Sequence, residues 1–350
     1  MQRARVPCIA TDNSLSSTAL LMRWLFVMDP VESINIKKDT TFAIMAECAR
    51  RGIETWYCTI DTLAVSHQAG VWATCQQLHA IPGTGVQKLG EPVPRTALKD
   101  FPVIWMRKDP PFNMAFFYAT LLLEQAEQAG CLVLNRQAGL RAANEKAFVL
   151  NFPQFAPTSI ITRRADDIRM FLAEMGGKAV LKPLDLMGGS GIFLLREEDA
   201  NLGTIIEQST RYGEESVMVQ RFLPEAREGD KRVLLMDGEI LGGLLRVPQG
   251  NEFRGNLAAG GKAVDGGITD RDREIVDGVL PTLRKHGLWF VGLDVIGGNL
   301  TEVNVTSPTG MQEIDRFASA RGQAGLTAAE RTVDGALKLL TAHHAQAVTG

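Results

Sequence analysis

The chain has 350 residues, 45% of them hydrophobic and 22% charged, with a formal net charge of −3. That length divides into two or three cores rather than one, and the composition is that of a globular protein rather than a disordered one. A slightly acidic balance supplies no basic stripe to neutralise phosphates, so nucleic acid is not expected as a partner.

Residues 1–22, "MQRARVPCIATDNSLSSTALLM", read as a disordered N-terminal extension. Asp12 and a very short apolar stretch argue against a transit or secretory signal. From Arg23 the pattern alternates. An apolar strand "RWLFVMD" leads to an amphipathic helix "TFAIMAECARRG", with Gly52 as its C-terminal cap. There follow a strand "TWYCTI", a polar, glycine-rich connection near 80–100, a strand "PVIWMR", a helix from Met114 to Ala129 and a strand "CLVLN". This β-α-β-β-α-β order predicts an α/β domain with a parallel sheet over residues 23–142.

The texture changes over residues 143–340. Strands and helices now alternate with hairpins, "DKRVLLMDGEILGGLLRV" about "DGE" and "LWFVGLDVIGGNLTEVNVT" about "GGN", which predicts an α+β domain with mainly antiparallel sheets. Between the hairpins, residues 247–266 are glycine-rich without periodicity, the pattern of a working lid. Residues 341–350, with His343 and His344, read as a solvated tail. The five cysteines, Cys8, Cys48, Cys58, Cys75 and Cys131, include no C-x-x-C pair and read as free thiols in a reducing cytoplasm. No apolar run approaches the roughly 18 residues of a membrane span, so no membrane partner is expected.

Two constellations carry chemistry. The first is "LKPLDLMGGSGIFLL", residues 181–195, which fits neither the Walker A nor the G-x-G-x-x-G pattern. Alone it is best read as a plain hairpin turn; the alternative is a flap whose backbone N–H groups form an anion nest. Lys182, at the end of an apolar run, needs an anion, either a phosphate or Asp185.

The second is "GLDVIGGNLTEVNVTSP". Glu302 and Asn304 are two apart on a strand and share a face. A three-residue loop, Gly297 to Asn299, would set Asp294 opposite Glu302; a two-residue loop would set it opposite Thr301. Opposed carboxylates repel. A divalent cation bound by Asp294, Glu302 and Asn304 relieves this, and is preferred here over neutralisation by lysines or arginines. A phosphate flap with an acidic Mg²⁺ platform describes phosphoryl transfer from a nucleotide.

From about Arg23 to about Arg316 the chain resembles the bacterial glutathione synthetases, within the ATP-grasp family of carboxylate-amine ligases. The resemblance runs in one register through "MDPVESINIKKDT", "MRKDPPF", "NEKAF", "LKPLDLMGG", "GDKRVLLMDGE", "RVPQGNEFRGNLAAGGKA" and "GLDVIGGNLTEVNVTSP". It implies an ATP lid subdomain at 143–223, a catalytic subdomain at 224–340 and a flexible loop at 247–266. It places Lys146 and Lys182 on ATP phosphates, with Met187, Gly188 and Gly189 closing over them, and Gln220, Arg221, Phe222 and Leu223 along the adenine. Arg232, Arg246, Arg254 and Gly261 are implied in catalysis, Asn35, Arg107 and Ser307 in substrate binding, and Asp294, Glu302 and Asn304 in holding Mg²⁺ or Mn²⁺.

The implied reaction joins γ-glutamylcysteine to glycine through an acyl phosphate at the expense of ATP, in the cytoplasm, with a homotetramer as the family habit. Two departures stand out: Leu186 where the flap usually has glycine, and Asn113 where aspartate is common. Another ATP-grasp ligase, a small-molecule kinase and a non-catalytic nucleotide-binding regulator are the alternatives.

Overall fold

A computed structural model describes residues 23–349 apart from 83, 89, 251–254, 257–259 and 324. The extension 1–22 and Arg254 therefore lie outside the described residues.

The first part comprises β1 (Arg23–Val27), α1 (Thr40–Arg50), β2 (Glu54–Cys58), β3 (Ala64–Ser66), β4 (Gly70–Ile81), β5 (Gly85–Lys88), β6 (Val93–Ala97), β7 (Val103–Met106), α2 (Met114–Gln128), β8 (Leu132–Leu134) and α3 (Gln137–Ala142). β2, β1, β7 and β8 form a parallel run. Four of the five residues of β1 are buried, as a strand covered on both faces requires. α1 starts where the Asp39 carboxylate accepts from Phe42 N at 2.6 Å, and stops at Gly52, φ 73°. α2 is capped by Asn113, whose Oδ1 accepts from Phe116 N at 3.1 Å; an aspartate would cap in the same way.

The sheet is mixed rather than parallel throughout. The connection expected near 80–100 carries strands: β4 pairs antiparallel with β2, β3, β5 and β6. β4 alternates buried and half-exposed residues over most of its length, a period-two pattern spread over polar residues such as Gln76 and Gln77.

The second part begins with β9 (Ser159–Thr162), α4 (Ala165–Glu174), β10 (Lys178–Pro183), β11 (Phe193–Arg196), α5 (Leu202–Ser209) and β12 (Val217–Arg221). Its antiparallel sheet, ordered β11-β10-β12-β9, encloses a separate core around Ile168, Phe171, Leu181, Leu195, Ile206 and Val219. Then come β13 (Asp230–Met236), β14 (Glu239–Val247), β15 (Lys262–Asp265), α6 (Asp270–His286), β16 (Phe290–Ile296), β17 (Asn299–Asn304), α7 (Met311–Ala320) and α8 (Ala328–Thr349). This five-stranded antiparallel sheet, ordered β15-β14-β13-β16-β17, shares its core with the first sheet: Trp105 meets Phe290 edge-on with ring centroids 5.9 Å apart.

Asn135, buried after β8, clasps the two parts. Its Nδ2 donates to the carbonyls of Phe290 and Val305, and its Oδ1 accepts from Trp289 N and Phe290 N. The expected tail is helical instead: α8 runs to Thr349, because "TAHHAQAVT" contains no glycine or proline to stop it. Cys48, Cys58, Cys75 and Cys131 are buried free thiols. Among the described residues no helix is long and apolar enough to cross a membrane.

Candidate active site

The β16–β17 hairpin sets the register of the site. Ile296 pairs with Asn299, so the loop is the two-residue Gly297-Gly298, both at positive φ. Asp294 nevertheless pairs with Glu302, because a bulge between Asp294 and Val295 on one strand, and Glu302 and Leu300 on the other, takes up Thr301 as an extra residue. The expectation that only a three-residue loop gives this register is thus corrected. The Thr301 hydroxyl donates to Asp294 O at 3.1 Å.

The opposed carboxylates do not depend on a metal for neutrality. Arg232 lies across from Asp294 on β13 and grips it with a two-pronged fork, Nε to Oδ1 and Nη2 to Oδ2, each 2.8 Å. Arg246 adds a contact to Oδ2 at 2.8 Å and pairs with Asp230. Glu302 has Lys146 Nζ 3.3 Å away. Neutralisation by cations, ranked second from the sequence, is what the structure contains. Burial opposes ionisation of Asp294, but Arg232 and Arg246 outweigh it and hold the carboxyl well below the usual range. Asp230, which sequence reasoning missed, is pushed up to about 7 by burial against the pull of Arg246, and its Oδ1 is buried without a hydrogen-bond partner. Its signal was available, since it alternates with Arg232 on one strand face.

Lys146, Lys182, Gln220, Arg221, Phe222 and Leu223 converge on one narrow cavity of about 80 Å³ between the four- and five-stranded sheets, with Val180, Ile192 and Ile296 as apolar walls. Lys182 Nζ donates to Gln220 Oε1 at 2.8 Å, so its partner is neither of the two anticipated. Burial pushes the Lys182 ammonium below the usual lysine range, Lys146 acts in the same sense and Glu302 opposes it. Lys146 Nζ also donates to the carbonyl of Leu186 in the flap.

A wider cavity of about 550 Å³ adjoins the first, and Glu302 and Asn256 line both. It is bordered by Met187, Gly188, Arg232, Arg246, Asn304 and Ser307, and by Asp109 and Glu145, which sequence reasoning passed over. Glu145 precedes Lys146 in its motif. Its Oε1 accepts from Val305 N, Thr306 N and Thr306 Oγ1 at 2.8–3.0 Å, which fixes the segment after Asn304. Burial raises its pKa above the ordinary range.

The flap's sharp turns fall on Gly188, Gly189 and Gly191, φ 65°, 83° and 67°. Leu186 is not among the non-glycine residues with positive φ, which are Arg95, Arg211, Tyr212 and Asp237 among the described residues, so its departure from glycine stores no backbone strain. Three expected residues line neither cavity. Asn35 is exposed, and its side chain accepts from Lys37 N. Arg107 is 3% exposed, spans Thr41 Oγ1 and Pro308 O at 3.0 Å each, and is lowered by burial to about 10. Gly261 closes the base of the loop: a Cβ there would stand 2.1 Å from Gly255 O.

The donor set fits a hard divalent cation with few protein ligands. Glu302 and Asn304 present oxygens on one strand face at the cavity, while Asp294, opposite Glu302, already accepts three arginine contacts. Mg²⁺ commonly takes one or two carboxylates and completes its shell with phosphates and water, and Glu302 with Asp294 beside it offers that number here.

Comparison with known proteins agrees with this architecture. The family model for the prokaryotic glutathione synthetase N-terminal domain matches residues 22–141, and that for the prokaryotic glutathione synthetase ATP-grasp domain matches residues 145–319. The glutathione synthetase of Thermosynechococcus vestitus is 44% identical over 305 residues, 85% of this chain and 95% of its own. That of Gloeobacter violaceus is 46% identical over 299 residues, 84% and 92% respectively. Among solved structures, the D-cycloserine synthetase DcsG superposes with TM-score 0.64 over 91% of this chain and 99% of its own at 14% identity. D-alanyl-alanine synthetase A from Vibrio cholerae superposes with TM-score 0.58 over 91% and 98% at 13% identity, so these two share the fold. The chain is an ATP-grasp ligase and belongs to the prokaryotic glutathione synthetase family.

Proposed function

We propose that the chain ligates γ-glutamylcysteine to glycine with ATP, forming glutathione, ADP and phosphate through an acyl phosphate. The observation that carries this reading is the junction of the two cavities at Glu302: lysines and an apolar wall suited to a nucleotide on one side, an arginine-lined chamber on the other. Lys146 and Lys182 offset the charge of the ATP phosphates, and the segment Gln220 to Leu223 lies against the base. The narrow cavity of about 80 Å³ is smaller than the roughly 300–1,000 Å³ of a small-molecule site, but beside Glu302 and Asn256 it adjoins the cavity of about 550 Å³, into which the phosphates of ATP extend.

The cysteinyl carboxylate attacks the γ-phosphorus and the bond to ADP breaks; the neutral amine of glycine then attacks the activated carbonyl, expelling phosphate and losing a proton. Arg232 and Arg246 border the chamber and share their charge between Asp294, Asp230 and the transferred group. Glu302 and Asn304 would hold Mg²⁺ or Mn²⁺, which when bound offsets charge on the phosphates. The loop at 247–266 shields the acyl phosphate from water. Four buried free thiols suit a reducing cytoplasm.

The test supplies ATP, Mg²⁺ and γ-glutamylcysteine with and without glycine and follows phosphate and tripeptide. Glycine-dependent tripeptide is expected; a stable phosphorylated dipeptide would favour a kinase, and no tripeptide would refute the reading. Cleaving the loop should preserve ATP binding while acyl phosphate is lost to water; unchanged ligation would exclude the shielding role.

A further inference from the structure

The proposed dipeptide carries one permanent cation, the α-ammonium of its γ-glutamyl end, whereas the glycine nitrogen must be neutral to attack. Three carboxylates line the wider cavity. Glu145 is occupied by three hydrogen bonds and Glu302 lies beside Lys146. The third, Asp109, is exposed, and its carboxylate has no hydrogen bond and no ion pair among the described residues.

Its backbone, by contrast, is tied down. Asp109 N donates to Asp29 Oδ2 at 3.0 Å, Asp29 Oδ1 pairs with Lys108 Nζ at 2.9 Å, and the same Nζ donates to Asp109 O at 2.8 Å. The loop after β7 is thereby held to the end of β1, which fixes the backbone from which the exposed carboxylate borders the cavity. A carboxylate on an anchored backbone beside the cavity, without a hydrogen bond or ion pair of its own among the described residues, is available to an opposite charge on the substrate.

Resting on the functional reading above, we propose that Asp109 is a specificity-determining residue which binds the α-ammonium of the γ-glutamyl group. The site thereby selects a γ-linked amino acid over a plain dicarboxylic acyl group. Losing one charge-assisted contact of this kind lowers kcat/KM by about 10- to 100-fold.

The test compares γ-glutamylcysteine with N-glutarylcysteine, which lacks only that amino group, in the wild-type chain and in Asp109→Asn. Wild type should prefer the amino-bearing substrate by about 10- to 100-fold. The variant should lose that factor on γ-glutamylcysteine alone, with the KM values for ATP and glycine within about twofold of wild type. Retained discrimination, an equal loss on both dipeptides, or a rise confined to the KM for glycine would each overturn the assignment. A wild-type chain that forms no tripeptide would instead overturn the functional reading, and this one with it.

Discussion

Replacing Asp294 by asparagine probes the electrostatic centre of the site. Asp294 is 1% exposed and its carboxylate accepts three arginine contacts at 2.8 Å, two from Arg232 and one from Arg246. Asparagine keeps the shape, loses the charge and turns one oxygen into a donor that faces guanidinium donors. Breaking a buried pair by disabling one partner costs about 3–5 kcal/mol, because the other charge stays buried and uncompensated. Urea unfolding followed by tryptophan fluorescence reads this directly: Trp24, Trp56, Trp72, Trp105 and Trp289 all lie outside the four-stranded sheet and so report the shared core.

The pH dependence has a definite sign. A carboxyl whose folded pKa is depressed contributes stability above its unfolded value, about 3.9, and loses it as pH falls through the folded value. The gap between wild type and Asp294→Asn should therefore close on acidification below about pH 4, and it is read at about pH 5, below the range in which Asp230, raised to about 7 with the help of the Asp294 charge, titrates in the wild type. A loss under about 1 kcal/mol at about pH 5, or a gap that persists unchanged on acidification well below about pH 4, would refute the view that the fork is a buried, fully ionised pair.

Asn135→Ala should cost more than about 3 kcal/mol in the same assay, since two amides and two carbonyls of the β8, β16 and β17 junction lose their partner; a loss below about 1 kcal/mol would mean water replaces the side chain. Lys182→Met should abolish stabilisation by ATP, which at 100 times its Kd adds about 2.7 kcal/mol to the wild type; retained stabilisation would remove Lys182 from the nucleotide site. Leu186→Gly should change the KM for ATP by less than about threefold, because no positive φ is required there. A tenfold fall in that KM would show that the leucine obstructs flap closure.

Much of the fold was written locally. β1 is apolar without interruption, α1 is bracketed by Asp39 and Gly52, and the β13–β14 hairpin turns at Asp237-Gly238, both at positive φ, so pattern and turn chemistry suffice to predict them. β4 escaped notice because its alternation runs through glutamines and its partners are set by a sheet assembled from distant segments. α8 was cut short because nothing but the absence of a stop signal marks its continuation.

In the site the sequence determined which residue types share a strand face: Glu302 with Asn304, and Asp230 with Arg232. Only the tertiary structure decided who neutralises whom. Lys146, Arg232 and Arg246 are far from Asp294 and Glu302 along the chain and meet them through strand pairing and sheet packing. The register of Asp294 against Glu302 depends on a bulge that takes up Thr301, a backbone event with no marker of its own in the sequence. Lys182 likewise found Gln220 across a strand pair rather than Asp185 three residues along, because a buried ammonium takes the partner that the sheet brings within reach.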